Sequence, residues 1–334
     1  MKPMTDCASL LRACAAAVLV LSSGATLAAS AGWKPERPVE FIIPASAGGG
    51  QDRTARVIQK ILQDSGAVPT AINIANKGGG GGNIAYNYLQ QFKGDGHYLA
   101  TASPTLITNH ILGTSPISYT DVTPLNILYN EYIGFAVNAE GPMKSGADLV
   151  ARLKKDPESV TFAFGTSRGN ANHIAVALMA KAAGVDVKRL KVVIYKSSID
   201  AATALMGGHV DAVATPTSTY VPLLGGGKIR LVAVAAPARQ GGVFANVPTW
   251  KEQGLDVIMP SYRMVIGPRD MSPAQVAFWD QAFARAVKSP EWKKELEKND
   301  WDDSFLDSTR SRAFLDQQSK AYRGVLVELG LVKQ

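Results

Sequence analysis

Short apolar runs that break into glycine recur along the chain, and this alternation limits the folds open to it more than any other feature. "VEFIIPA" is followed by "SAGGGQD" and "TAINIAN" by "KGGGGGN", while "HYLATAS" runs into "PT" and "VTFAFGT" into "SRGN". Each run has the length and composition of a buried strand. Between them lie stretches such as "DRTARVIQKILQDSG", which sets Val57, Ile58, Ile61 and Leu62 on one helical face and stops at Gly66. Ser145 and Asp148 form a capping box for the helix "ADLVARLKK". "LKVVIYK", "VDAVATP" and "IRLVAVAA" continue the series with a helix after each of the first two; "YRMVIGP" is the last strand, and two or three helices follow it. Strands alternating with helices predict an α/β fold built on parallel sheets. The glycine turns fall at the carboxyl ends of strands, where open α/β sheets hold ligands. Two such series joined by long extended crossings, "LNILYNEYIGFAVNAEG" and "YRMVIGP", predict two lobes. Lobe 1 takes residues 33–130 and 257–334, and lobe 2 takes residues 131–256.

The first thirty residues stand apart from this pattern. Lys2 and Arg12 precede the apolar run Ala13–Leu21, and "ATLAASAG" offers small residues for a signal peptidase. Residues 1–30 therefore read as a signal peptide, cleaved between Ala28 and Ala31, which places the mature protein outside the cytoplasm. Both cysteines, Cys7 and Cys14, lie in that peptide, so the mature chain has no disulfide and no cysteine metal site. The formal net charge is +7. Its cations are scattered (Lys154 and Lys155, Lys188 to Lys191, Lys293 and Lys294) without interleaved aromatic residues, the pattern of solvated helix faces. Nucleic acid is not an expected partner. His97, His110, His173 and His209 show no metal-ligand spacing, so no metal is expected.

Three motifs suggest chemistry. "GTSRG", Gly165 to Gly169, fits the nucleophile elbow G-x-S-x-G between a strand and a helix, which makes an exported serine hydrolase using Ser167 the rival reading. A triad also needs a histidine beyond the last strands, whereas His209 precedes a strand and His173 follows Ser167 by only six residues. "GGGNIA", Gly80 to Ala85, fits a dinucleotide fingerprint, but the next strand lacks the acid that would hold a ribose. The first glycine run lacks the lysine and hydroxyl of a phosphate loop. No catalytic residue and no cofactor are expected. What remains is several glycine turns opening helices, whose backbone N–H groups and dipole bind a carboxylate as readily as a phosphate.

The ordered set "PVEFIIPASAGGGQDRTAR", "NKGGGGGNIAYNYL", "GDGHYLATAS", "VTFAFGTSRGNANH", "VVIYKSS", "ALMGGHVDAVATP", "GGKIRLVAVAAPAR" and "VPTWKEQG" resembles the Bug-type periplasmic solute-binding receptors of tripartite tricarboxylate transporters. The likeness runs from Pro38 to the C-terminus and is greatest to the tricarboxylate-receptor branch. It implies a two-lobed, type II periplasmic-binding-protein (Venus flytrap) fold that captures a small tricarboxylate, dicarboxylate or aromatic carboxylate. It also implies delivery to a large and a small membrane subunit. A closed clam-shell can dock on a sensor protein as well as on a permease, which makes a sensor the other partner to consider. In this family two loops hold one ligand carboxylate. Here they correspond to Ala45, Ser46, Ala47, Gly48 and Gly49, and to Thr166, Ser167, Arg168, Gly169 and Asn170. The resemblance lines the rest of the pocket with Ser103, Thr105, Tyr195, Lys196, Thr215 and Thr217. Many relatives have proline where this chain has Ser46, whose hydroxyl adds a donor. Arg168 stands where small residues are common, as a grip for a second carboxylate or as an exposed lobe edge. Glu131 either holds a ligand amine or faces water. Asp52, at a helix start, reads as structural, because facing the pocket it would repel the carboxylate expected there.

Overall fold

Strand-forming runs and glycine stops divide the chain much as the sequence predicts. The computed structural model describes residues 32–333, so the expected signal peptide and both cysteines lie outside the described residues. From Lys34 onward the chain packs as one unit. Its strands are β1 (Val39–Ile43), β2 (Ile72–Asn76), β3 (Tyr98–Ala102), β4 (Thr123–Asn138), β5 (Thr161–Gly165), β6 (Lys191–Tyr195), β7 (Ala212–Pro216), β8 (Ile229–Val234) and β9 (Pro260–Gly267). The helices are α1 (Gly50–Asp64), α2 (Asn83–Leu89), α3 (Thr105–Ile111), α4 (Gly146–Lys155), α5 (Ala171–Ala182), α6 (Ser198–Met206), α7 (Pro273–Ala286), α8 (Pro290–Asn299) and α9 (Ser308–Glu328).

The sheet has the parallel pairing that the sequence predicts and adds antiparallel crossings. β1 pairs parallel with β2 and β3, and β5 pairs parallel with β6 and β7. The crossings β4 and β9, however, join the sheet as antiparallel strands. The order is β2-β1-β3-β9-β4-β7-β5-β6, with β8 also paired to β4. β4 serves both halves: Thr123–Tyr132 pairs with β9, and Ile133–Asn138 pairs with β7 and β8. A crossing strand buried between two sheet halves must spend its N–H and C=O groups somewhere, and pairing with both halves does so.

Local chemistry explains the elements. Ser145 accepts from the Asp148 N–H at 3.2 Å and Asp148 accepts from the Ser145 N–H at 3.0 Å, the expected capping box of α4. On α1, Ile58, Ile61 and Leu62 are buried while Val57 is partly exposed. α5 is apolar almost all round and buried accordingly. The helix expected after β7 is absent. Short 3₁₀ turns at Thr217–Thr219 and Leu224–Gly226 take its place, because Pro222 and Gly225 to Gly227 cannot sustain a helix.

Candidate functional site

The carboxyl ends of β1, β3, β5, β6 and β7 open onto one cleft. Its walls include Ala45, Gly49 and Gly50 after β1, Ser103 to Thr105 after β3, and Thr166 with Asn170 to Asn172 after β5. Ser197 and Ser198 after β6, Pro216 at the end of β7, and Ser261 and Arg263 of β9 complete it, with Gln51. The cavity volume is about 40 Å³, which on the scale of about 10–15 Å³ per water holds only a few waters. The walls therefore stand close together.

Three helices of nine residues or more begin at this cleft: α1 at Gly50, α5 at Ala171 and α6 at Ser198. Asn170 caps α5 by accepting from the His173 N–H, and Ser197 caps α6 by accepting from the Asp200 N–H. α1 has no side-chain cap, and its first three residues, Gly50, Gln51 and Asp52, are buried. A buried, uncapped helix start leaves N–H donors in need of an acceptor.

Asp52 does not supply that acceptor to the cleft. One carboxylate oxygen accepts from the Gly48 N–H at 2.8 Å and from Arg56 Nε at 2.9 Å, and the other accepts from Asn76 Nδ2 at 2.9 Å. Burial alone would raise its pKa, but the bonds from Arg56, Gly48 and Asn76 outweigh it and hold the carboxyl below its ordinary value.

The loop after β5 is held under local strain. Thr166 has φ +77°, a left-handed conformation that a β-branched residue seldom adopts. Its N–H donates to Tyr195 O at 2.9 Å, and its hydroxyl accepts from Asn170 Nδ2 at 2.8 Å. His173 Nδ1 accepts from the Gly169 N–H at 2.9 Å. Burial, helped by the Arg168 charge, brings the His173 pKa down to about 4, so the ring is neutral and its Nδ1 is free to accept. Ser167 Oγ donates to Asn109 Oδ1 at 2.8 Å, and Asn109 Nδ2 donates to Gly81 O at 2.8 Å. Ser167 is thus bonded to an amide of α3, and the imidazole of His173 is engaged by a backbone N–H. This is not the serine–histidine geometry of a nucleophile.

Of the residues expected at the site, Ala45, Gly49, Ser103, Thr105, Thr166 and Asn170 line the cleft. Ser46 is partly buried, and Ala47 and Gly48 are exposed. Ser167 and Arg168 line a shallower depression with Gly80, Gly81, Asn83, Thr114 and Ile194, and Arg168 is exposed there. Gly169 is buried, and a Cβ added to it would lie 2.1 Å from Leu112 Cδ1. Tyr195 is half-buried and offers its carbonyl to Thr166, Lys196 is exposed, and Thr215 and Thr217 are fully buried.

Sequence reasoning missed Arg263, Ser261 and the role of Glu131. Glu131 does not face water: it is fully buried and its Oε1 meets Arg263 Nη2 at 2.7 Å. The visible signal was a single charge inside each of two apolar runs, "YRMVIGP" and "YNEYIGFAV". Among the described residues no group of three or more His, Cys, Asp or Glu is placed to hold a metal ion.

Comparison with known proteins bears on this arrangement. The sequence profile described as "Tripartite tricarboxylate transporter family receptor" (TctC) matches residues 54–331. A UPF0065 protein of Cupriavidus necator is 28% identical over 302 residues, covering 90% of this chain and 89% of its own. Protein BugT of Bordetella pertussis is 24% identical over 318 residues, covering 94% of this chain and 95% of its own. Among solved structures, the periplasmic binding protein BugD superposes with a TM-score of 0.81 at 21% identity, over 90% of this chain and 100% of its own. MatC of Rhodopseudomonas palustris, with bound malate, gives 0.77 at 22% identity, over 87% and 99%. A second R. palustris protein, with adipate, gives 0.82 at 23% identity, over 89% and 98%. The structural likenesses establish the fold as the two-lobed periplasmic-binding-protein type that the sequence resemblance implied.

Proposed function

The chain belongs to the tripartite tricarboxylate transporter receptor family, a family of solute receptors rather than enzymes, and from that premise we propose how it works. It captures a small carboxylate in the periplasm, between lobe 1 (residues 33–130 and 257–334) and lobe 2 (residues 131–256). It then delivers the ligand unchanged to the large and small membrane subunits of its transporter. A sensor protein that reads the closed form is a further partner under the same proposal.

One observation carries this reading. The starts of α1, α5 and α6 meet at a single cleft, and that of α1 is buried without a side-chain cap. Backbone N–H groups at a helix start, together with the helix dipole, suit a carboxylate. Asp52 is held by other partners and leaves that position to a ligand. MatC with malate and the R. palustris protein with adipate are carboxylate complexes of the same fold, which supports the class of ligand. Ser167, bonded to Asn109, has no role as a nucleophile in this scheme.

A thermal-shift screen of small carboxylates tests the proposal. A true ligand at about a hundred times its dissociation constant adds about 2.7 kcal/mol to stability. At least one carboxylate should raise the melting temperature by several degrees; a panel of mono-, di- and tricarboxylates that leaves it unmoved would contradict the proposal.

A further inference from the structure

Arg263 of β9 and Glu131 of β4 face each other because of strand register. Glu131 lies opposite Ser261, so Arg263, two residues further on, shares the same face and meets it diagonally. Arg263 is 5% exposed and Glu131 is fully buried. Nη2 of the arginine reaches Glu131 Oε1 at 2.7 Å, and Nη1 donates to Ser261 Oγ at 3.0 Å and to Tyr262 O at 3.2 Å. The Ser218 N–H donates to the other oxygen of Glu131 at 3.3 Å. Arg263 Nε has no acceptor, and the buried Ser218 hydroxyl has no partner. Arg263 Nη2 and Ser218 Oγ lie around the start of α1: a Cβ at Gly50 would stand 3.5 Å from the first and 3.7 Å from the second. Arg263 and Gly50 line the same cleft.

A guanidinium beside an uncapped helix start, left to itself, would favour the most highly charged anion available. Glu131 removes that bias. The buried pair carries no net charge, and of the five guanidinium N–H groups only Nε–H and one on Nη2 remain unspent. Each further carboxylate would have to leave water without a matching cation, which is costly in a buried site. Arg168 lines the adjoining depression rather than the cleft and is exposed there.

We infer that Arg263 and Glu131 together determine specificity: Arg263 offers its remaining N–H donors to the second carboxylate of a small dicarboxylate, and Glu131 holds the cleft's charge too low for a third. This rests on the carboxylate-receptor reading above. The first carboxylate is held by the glycine turns and the start of α1.

Calorimetric titration with propionate, succinate, adipate and citrate tests it, using the wild type, Glu131→Gln, and the double variant Arg263→Met with Glu131→Gln. The wild type should bind one of the dicarboxylates at least about tenfold more tightly than propionate or citrate, a difference of about 1.4 kcal/mol. Glu131→Gln should improve citrate relative to that dicarboxylate by about tenfold or more. The double variant replaces the ion pair by neutral groups of similar size, which buried sites tolerate, and so reports even where the single variant fails to fold. It should lose about tenfold for the dicarboxylate and change little for propionate. Unaltered preferences in Glu131→Gln, or a double variant that keeps the dicarboxylate, would overturn the inference while leaving the carboxylate reading intact. A wild type that binds none of the four would overturn both.

Discussion

Asp52 sits in the first turn of the helix whose start meets the cleft, yet its carboxylate is committed to Gly48, Arg56 and Asn76. Its role is to fix the glycine turn after β1. Asp52→Asn should cost about 1.5–3 kcal/mol, the scale of hydrogen bonds to a charged group, and leave the order of ligand preference unchanged. Because the folded pKa lies below the unfolded one, this stabilisation is present at neutral pH and is lost as pH falls through the folded value. Urea titrations of both proteins at pH 7, each followed by a carboxylate panel, check this; altered preference with normal stability would contradict it. His173 acts through a different window. Its folded pKa of about 4 lies below the ordinary histidine value, so the unfolded chain takes up a proton that the native ring refuses. Stability should fall by roughly 3 kcal/mol as pH drops from about 6.5 to 4. His173→Asn should flatten that slope while weakening the Gly169 turn at neutral pH, and denaturation curves across the range would show it.

β5 ends where two elements meet at backbone distance. A Cβ on Gly165 would lie 2.3 Å from Ser198 N and 2.4 Å from Ser197 C, and neither of those atoms belongs to a movable side chain. Gly165→Ala should therefore destabilise by about 3 kcal/mol, at the upper end for overpacking. It should also displace the start of α6 from the cleft. Chemical denaturation reads the first effect and ligand affinity the second. Elements of this kind were legible in the sequence because they are local: the capping box of α4, the glycine stops, and the apolar runs of β1, β3 and β5 each depend on neighbours in the chain. The antiparallel membership of β4 and β9 depends on partners far away in sequence, and an extended apolar run reads alike in either direction. The Arg263–Glu131 pair was hidden for the same reason. Its partners are 132 positions apart and meet through a register that shifts at bulges within β4. The loops of the site were visible as glycine turns, but which of their residues face inward is set by tertiary packing. Thr166 and Asn170 line the cleft, while Ala47, Gly48 and Arg168 are exposed and do not.

Across the whole molecule, contacts bridge the cleft at several points. Ser167 Oγ donates to Asn109, and Arg53 Nη1 donates to Ser218 O at 2.6 Å. With about 40 Å³ between its walls, the cleft must part to admit a carboxylate and draw in around it. A ligand that touches both sides stabilises only the drawn-in form. Small-angle scattering should show a smaller radius of gyration at saturation with a tight ligand, and an unchanged radius would count against closure. On this proposal the cleft holds a carboxylate and does nothing to it. Equilibrium dialysis of the wild type and Ser167→Ala against isotope-labelled mono-, di- and tricarboxylates, with recovery of the label, tests that claim most directly. Binding should be saturable at about one ligand per chain, with the ligand chemically intact on release, and weakened by no more than about tenfold in Ser167→Ala, the loss of one hydrogen bond. Either of two results would contradict this: none of the carboxylates binds, or the label is converted by the wild type and spared by Ser167→Ala.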